Sequence, residues 1–261
     1  MATGKNELLS KVPAITLGFW IIKILATTLG ETGGDAVTMS WLGETTAAAK
    51  GSGYLLGTAI FGIVFLAAVL VQIEAKKFHP FLYWTTIVAT TTVGTTMADY
   101  VDRSLGVGYP GGTSILFTLL MASLFVWYRT LGTVAMDSVR STKSEAFYWV
   151  TIMFSQTLGT ALGDWTADTA GLGYTGGAMI FTAMLAIVAA MYYWTKISHT
   201  VLFWAAFILT RPLGAVVGDY LDKPHAKGGL ELSRYTASAS LLIFIAVLIL
   251  VLPHKAAERH H

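Results

Sequence analysis

The chain has 261 residues, of which 54% are hydrophobic and only 12% charged. Soluble domains carry about 25% charged residues, so an ordinary soluble globular protein is excluded, and the length suits a polytopic membrane protein of eight spans of about 20 residues. A dispersed net charge of +2 gives no basis for nucleic-acid binding, and the absence of cysteine removes disulfides, thiolate metal sites and thiol nucleophiles together.

In chain order, residues 1–13 are polar and lack a signal-peptide pattern. Apolar segments then follow in pairs: 14–38 and 53–73, 80–103 and 112–129, 146–168 and 177–195, 198–221 and 236–252. Each pair forms one repeat, giving units of about 14–73, 80–129, 146–195 and 198–252 in a single membrane domain. Residues 258–261 (ERHH) read as a purification-tag remnant and are kept out of metal-site reasoning.

The pairs share a motif. Trp20, Trp84, Trp149 and Trp204 are each followed ten residues later by Gly30, Gly94, Gly159 and Gly214. Five residues beyond each glycine stands Asp35, Asp99, Asp164 or Asp219. The pattern W-x9-G-x4-D recurs without a gap at separations of 64, 65 and 55 residues, and an internal repeat of this length sets the architecture.

The two helices of a repeat differ in kind. The second is almost wholly apolar (60–71, 115–127, 179–194, 241–252). The first carries a polar and small-residue stripe at helical spacing: Lys23, Thr27, Glu31, Gly34, Asp35 and Thr38 in repeat one; Thr91, Thr95, Ala98, Asp99 and Asp102 in repeat two; Gln156, Thr160, Gly163 and Asp164 in repeat three; Arg211, Ala215, Gly218, Asp219 and Asp222 in repeat four. Lipid cannot satisfy such a stripe. The fold class expected is therefore all-α and integral to the membrane: eight transmembrane helices as four parallel two-helix repeats, with the odd-numbered helices in an inner ring and the even-numbered ones outside. Gly30/Gly34, Gly159/Gly163 and Gly214/Gly218 are small-xxx-small pairs that let helices approach closely. Pro212 should kink the seventh span. The four tryptophans are expected to anchor a belt at the membrane interface.

Ten Lys and Arg fall at the termini and between repeats, against five (Lys50, Arg103, Lys223, Lys227, Arg234) in the loops within repeats. By the positive-inside rule both termini should be cytoplasmic. The turns within the middle repeats match, GVGYPGG at 106–112 and GLGYTGG at 171–177, and their glycines permit positive-φ turns.

Four tandem two-helix repeats, each with a Trp and a Gly-x4-Asp, resemble a group of bacterial membrane proteins defined by a repeat of unknown function. The resemblance runs from Trp20 to about Leu252. It implies a bacterial inner-membrane protein and says little about activity. Repeat one departs from the others in having Glu31 where they have Thr95, Thr160 and Ala215.

The candidate site is the set Asp35, Asp99, Asp164 and Asp219 together with Glu31, Gln156, Lys23 and Arg211. Each Asp lies 15 residues past its Trp, or ~22 Å along the axis, in the outer half of the membrane. Buried ionisable groups there mark function by default, although helix capping is the bland alternative. Five acids against Lys23 and Arg211, read as the only cations on the stripe, leave an interior of minus three, so some carboxyls should hold protons or share a cation. The four Asp, with threonine hydroxyls and Gln156, offer hard oxygen ligands suited to Mg2+, Ca2+ or Mn2+.

The expected function is therefore a proton-coupled transporter of a hard divalent cation such as manganese, with no bound cofactor and with lipid and a small cation as partners. A carrier of a small polar or cationic organic solute and a non-transporting membrane subunit are the alternatives. An enzyme is not expected. Where intramembrane aspartyl proteases need the first glycine of Gly-x-Gly-Asp, this chain has Thr32, Thr96, Ala161 and Val216.

Overall fold

The computed structural model describes residues 10–45 and 51–257. Residues 258–261, read as a tag remnant, and part of the first loop lie outside them. Among the described residues run eight α-helices: α1 (Leu17–Asp35), α2 (Ser52–Glu74), α3 (Pro80–Asp99), α4 (Gly108–Leu131), α5 (Thr142–Asp164), α6 (Gly173–Trp194), α7 (His199–Asp222) and α8 (Arg234–Val251). Five of them, α2, α4, α6, α7 and α8, are long and apolar enough to cross a membrane. The other three, α1, α3 and α5, carry threonine-, glycine- and acid-rich stripes that lower their hydropathy.

The odd-numbered spans expected to run to about 38, 103 and 168 do so with a change of pitch. Directly after Asp35, Asp99 and Asp164 the α-helix widens into π-helical turns at Ala36–Trp41, Tyr100–Ser104 and Trp165–Thr169. Their i→i+5 bonds include Leu42 N to Val37 O (2.8 Å), Leu105 N to Tyr100 O (3.0 Å) and Ala170 N to Trp165 O (2.8 Å). In repeat four, Lys223 N instead bonds Asp219 O at 2.9 Å and α7 stays α-helical throughout, with Pro212 inside it. The glycine turns form as expected, with positive φ at Gly106, Gly108, Gly171 and Gly173.

Helix packing closes on itself. α1 lies against α3, α3 against α5, α5 against α7, and α7 against α1. Each even helix packs not on its own partner but on the first helix of the next repeat: α2 on α3, α4 on α5, α6 on α7, and α8 back on α1. The repeats are thus stitched together cyclically.

Glycine makes the close approach possible. A Cβ built at Gly94 would fall 3.0 Å from Cβ of Gln156, and one at Gly30 would fall 2.8 Å from Cβ of Thr91. Gly159 meets Arg211 and Gly214 meets Thr27 in the same way. Thr27, Thr91, Gln156 and Arg211 each stand three residues before the motif glycine of their own helix. Each motif glycine is therefore the hole into which one equivalent residue of the next repeat fits. One turn on, the contact repeats, with Gly34 against Thr95, Gly163 against Ala215 and Gly218 against Glu31.

The tryptophans correct the belt expectation. Trp84, Trp149 and Trp204 are buried, and Trp20 packs against the same core. The residue before each is Phe19, Tyr83, Tyr148 or Phe203. These eight rings build an apolar plug across one end of the helix ring, with Tyr83 T-shaped on Trp84 at 5.3 Å and Tyr148 on Trp149 at 5.1 Å. Edge-to-face packing of aromatic rings on one another stabilises such a buried cluster.

A strap of chain seals the plug from outside. Val12 is buried in the aromatic core, and Ser10 Oγ donates to the carbonyls of Met136 and Val139 at 3.3 Å. Lys11 Nζ donates to Ile73 O at 2.6 Å and pairs with Glu145 at 2.6 Å. Ala14 N and Ala257 N tie the strap to the last residues through Lys255 O and Val12 O, both at 2.8 Å.

Candidate functional site

From the plug upward, the inward faces of the odd helices form levels about one turn apart. The first is Lys23, Ile87, Ile152 and Phe207, all fully buried. Above it come Thr27, Thr91, Gln156 and Arg211, then Glu31, Thr95, Thr160 and Ala215, all inaccessible to solvent or nearly so. The fourth level is Asp35, Asp99, Asp164 and Asp219, between 0% and 3% exposed. A fifth, Met39, Arg103, Asp168 and Lys223, follows four residues later.

Arg211 reaches upward to the acidic level. Its Nη2 donates to Glu31 Oε2 at 2.9 Å, to Thr95 Oγ1 at 2.6 Å and to Thr160 Oγ1. One guanidinium corner thus joins repeats one, two, three and four. The threonine hydroxyls add hydrogen bonds at Nη2, while Nε and Nη1 of the same guanidinium have no partner among the described residues.

The four Asp are drawn together in two pairs, each around one cation. Arg103 contacts Asp99 at 2.7 Å and Asp164 at 3.0 Å. Lys223 contacts Asp35, and Asp219 at 2.9 Å. Asp222 adds a fifth carboxylate, 3.8 Å from Lys223 and 3.0 Å from Arg234. Across the pairs, Glu31, Asp164 and Asp219 each present an oxygen within 4.8 Å of the others, as do Asp35, Asp219 and Asp222. Hard oxygen atoms at such spacing fit a divalent cation of the Mg2+, Ca2+ or Mn2+ class.

Arg103 and Lys223 correct the charge count made from sequence, in which Lys23 and Arg211 were the only cations on the stripe and Arg103 and Lys223 were loop charges. Each follows a ring Asp by four residues, Asp99-x3-Arg103 and Asp219-x3-Lys223, the spacing that brings side chains onto one helix face. That signal was present in the sequence. What hid it was counting Arg103, at the end of the span 80–103, and Lys223, just past the span 198–221, as loop charges. With Arg103 and Lys223 included, the five ring acids face four cations, so the interior is close to neutral.

The helix-cap alternative finds no support in the contacts, because the partners of the four Asp are side-chain cations rather than loop amides. Of the two other residues expected at the site, Lys23 lies one level below Arg211 and Gln156 stands level with it, and neither has a hydrogen-bond partner among the described residues. The Asp end is the reachable one: the side chain of Arg103 is 31% exposed, whereas Arg211 is wholly buried.

A family model described as a Repeat of Unknown Function, DUF347, matches residues 18–78, 82–133, 147–198 and 202–254. The chain belongs to this repeat family. Each DUF347 match begins two residues before its Trp and runs through the even helix, so the family unit is the two-helix pair. Neither the curated proteins nor the solved structures gave a match.

Proposed function

We propose that this DUF347 protein is a transporter of the bacterial inner membrane, with the odd helices as an inner ring around the ionic column and the even helices against lipid. The outer faces support this. Ile63, Leu66, Phe125, Ile187 and Leu250 are all more than half exposed, a surface suited to acyl chains. Removing Lys11, Arg103, Lys223 and Arg234, which make internal ion pairs, leaves the loop cations concentrated on the side of the termini, so the cytoplasmic placement of both termini keeps its support. Single cysteines at Ser104 and Ser141 should then label from opposite faces; same-face labelling rejects the topology.

The cargo is a hard divalent cation such as manganese, exchanged for protons on the ring carboxylates. The observation that carries this is the approach of Glu31, Asp164 and Asp219 to within 4.8 Å. Arg103 and Lys223 act as tethered counter-ions that offset part of the ring's negative charge between transport events. An entering cation displaces them, and they return when it leaves. Since an ammonium and a guanidinium already occupy these positions, a small organic cation is the second reading.

The test is thermal melting of the purified protein in detergent, with and without Mn2+, alongside uptake into vesicles. Mn2+ should raise Tm in the wild type, and more so in Lys223→Gln, in which a competing charge is gone. Asp164→Asn and Asp219→Asn should lose the response while remaining folded. A wild type and a Lys223→Gln variant that both ignore divalent ions, yet are stabilised by guanidinium or alkylammonium ions, would move the assignment to the organic cation.

A further inference from the structure

Below the Arg211–Glu31 pair lies a group of hydrogen-bond donors that the carboxylates do not serve. Lys23 is 0% exposed, and its ammonium has no acceptor. The ammonium stands over the ring of Phe207, whose centroid lies 4.2 Å away. Phe207 stands one turn before Arg211 on α7, so Lys23 sits directly beneath Arg211. Arg211 uses Nη2 for Glu31 and the threonines, and leaves Nε and Nη1 without acceptors. Gln156 and Thr91 share the level of Arg211, and the Gln156 amide and the Thr91 hydroxyl are likewise buried and unpaired.

A buried cation is normally paired, because an uncompensated charge in a low-dielectric interior is far costlier than a paired one. Glu31 can serve only one of the two cations here, and its partner is Arg211. Lys23 has no carboxylate. The unpaired groups of Lys23, Thr91, Gln156 and Arg211 come one from each of the four repeats, and the charge they present is positive.

We propose that Lys23, Thr91, Gln156 and the free edge of Arg211 form a binding site for one small monovalent anion of the chloride class. Two cations supply the charge, and the guanidinium Nε and Nη1, the Gln156 amide and the Thr91 hydroxyl supply neutral or charge-assisted donors. The occupant is small because the helices touch at this level, with a Cβ at Gly94 falling 3.0 Å from Gln156. Ile87, Ile152 and Phe207 close the site beneath. It meets the cation site of the Asp level at the Arg211–Glu31 pair, to which it contributes Arg211 and the cation site Glu31, but its own donors are not among the carboxylates of that level.

The experiment is melting of the full chain in detergent with EDTA present, in choline salts of chloride, bromide, nitrate and gluconate at matched ionic strength. EDTA removes divalent cations, so a result here is separate from the outcome at the Asp level. Small anions should raise Tm by several degrees, saturably, as mass action on a folded-state site requires, and gluconate should not. Lys23→Met should melt at one temperature in all four salts. Equal Tm of the wild type in chloride and gluconate overturns the proposal, as it would if Lys23 were held as a neutral amine. A non-saturating trend shared by Lys23→Met also overturns it. If Lys23→Met fails to fold, bromide-soaked crystals of the wild type decide the matter. An anomalous peak between Lys23 Nζ and Arg211 Nε is expected, and its absence overturns the site.

Discussion

The two ends of the helix ring are built from the same four helices by opposite chemistry. At the Trp end, eight aromatic rings and the strap residue Val12 fill the space, and stability comes from burial and ring packing. At the Asp end, four carboxylates are held by Arg103 and Lys223, and stability depends on charge balance. The Trp end is closed by shape and tolerates no loss of volume. The Asp end is closed by ion pairs, which a competing ion or proton can open. Packing at one end and ion pairs at the other make the helix ring asymmetric along its axis.

The largest effect expected from breaking this comparison is at the plug. Trp84 is 1% exposed, and Trp84→Ala removes a large ring from a packed core, a change that costs about 3–5 kcal/mol. Chemical denaturation in detergent should show this loss. The same truncation at Trp20, which is only partly buried, should cost clearly less. Equal losses would mean that the plug is not one packed unit.

Next comes the charge seal. Lys223→Met leaves Asp35 and Asp219 without their shared cation, and breaking a buried pair from one side costs about 3 kcal/mol. Adding Asp35→Asn and Asp219→Asn to the same chain should restore much of the loss, since the uncompensated charge is then gone. A triple variant no more stable than Lys223→Met would show that the Asp end is held by packing like the Trp end, and the contrast would fail.

Between the ends, the glycine contacts set the spacing. A Cβ at Gly163 would lie 2.9 Å from that of Ala215, so Gly163→Leu should force the helices apart at about 1–3 kcal/mol or more. Ile187 on the outer face is 58% exposed, and Ile187→Leu should stay within about 0.5 kcal/mol. Comparable melting temperatures for the two variants would contradict a closely packed inner ring.

The contrast between the ends was half legible in the sequence. W-x9-G-x4-D gave the repeat, the stripe and the acidic level, because a 3.6-residue period survives in any single helix. The plug was misread because a Trp at the start of a hydrophobic segment is taken for an interface anchor. Yet every repeat carries an aromatic pair, Phe19-Trp20, Tyr83-Trp84, Tyr148-Trp149 and Phe203-Trp204, and doubled rings at one level of a ring of helices have only one another to pack on. The cations of the Asp end were visible at four-residue spacing, but Arg103 stood at the end of its assumed span and Lys223 just past it, and both were counted as loop charges. The cyclic stitching of each even helix to the next repeat had no local signal at all, since it depends on contacts between segments whose order in space no single helix encodes.

The smallest expected effect separates polar from apolar sealing inside the plug itself. Tyr83 and Tyr148 are fully buried, and their hydroxyls share a hydrogen bond of 2.6 Å. Tyr148→Phe removes one partner and leaves the Tyr83 hydroxyl buried with nothing to bond, a loss of about 1 kcal/mol or somewhat more. Tyr83→Phe should cost a similar amount for the same reason. The double variant removes both hydroxyls and keeps both rings, so it should be more stable than either single variant and close to the wild type. That ordering, read from melting temperatures of the four proteins, is what an apolar plug with one internally satisfied polar pair requires. A double variant that loses the sum of the two single losses would mean that each hydroxyl has its own partner, such as a water, and that the Trp end is wetter than its packing implies.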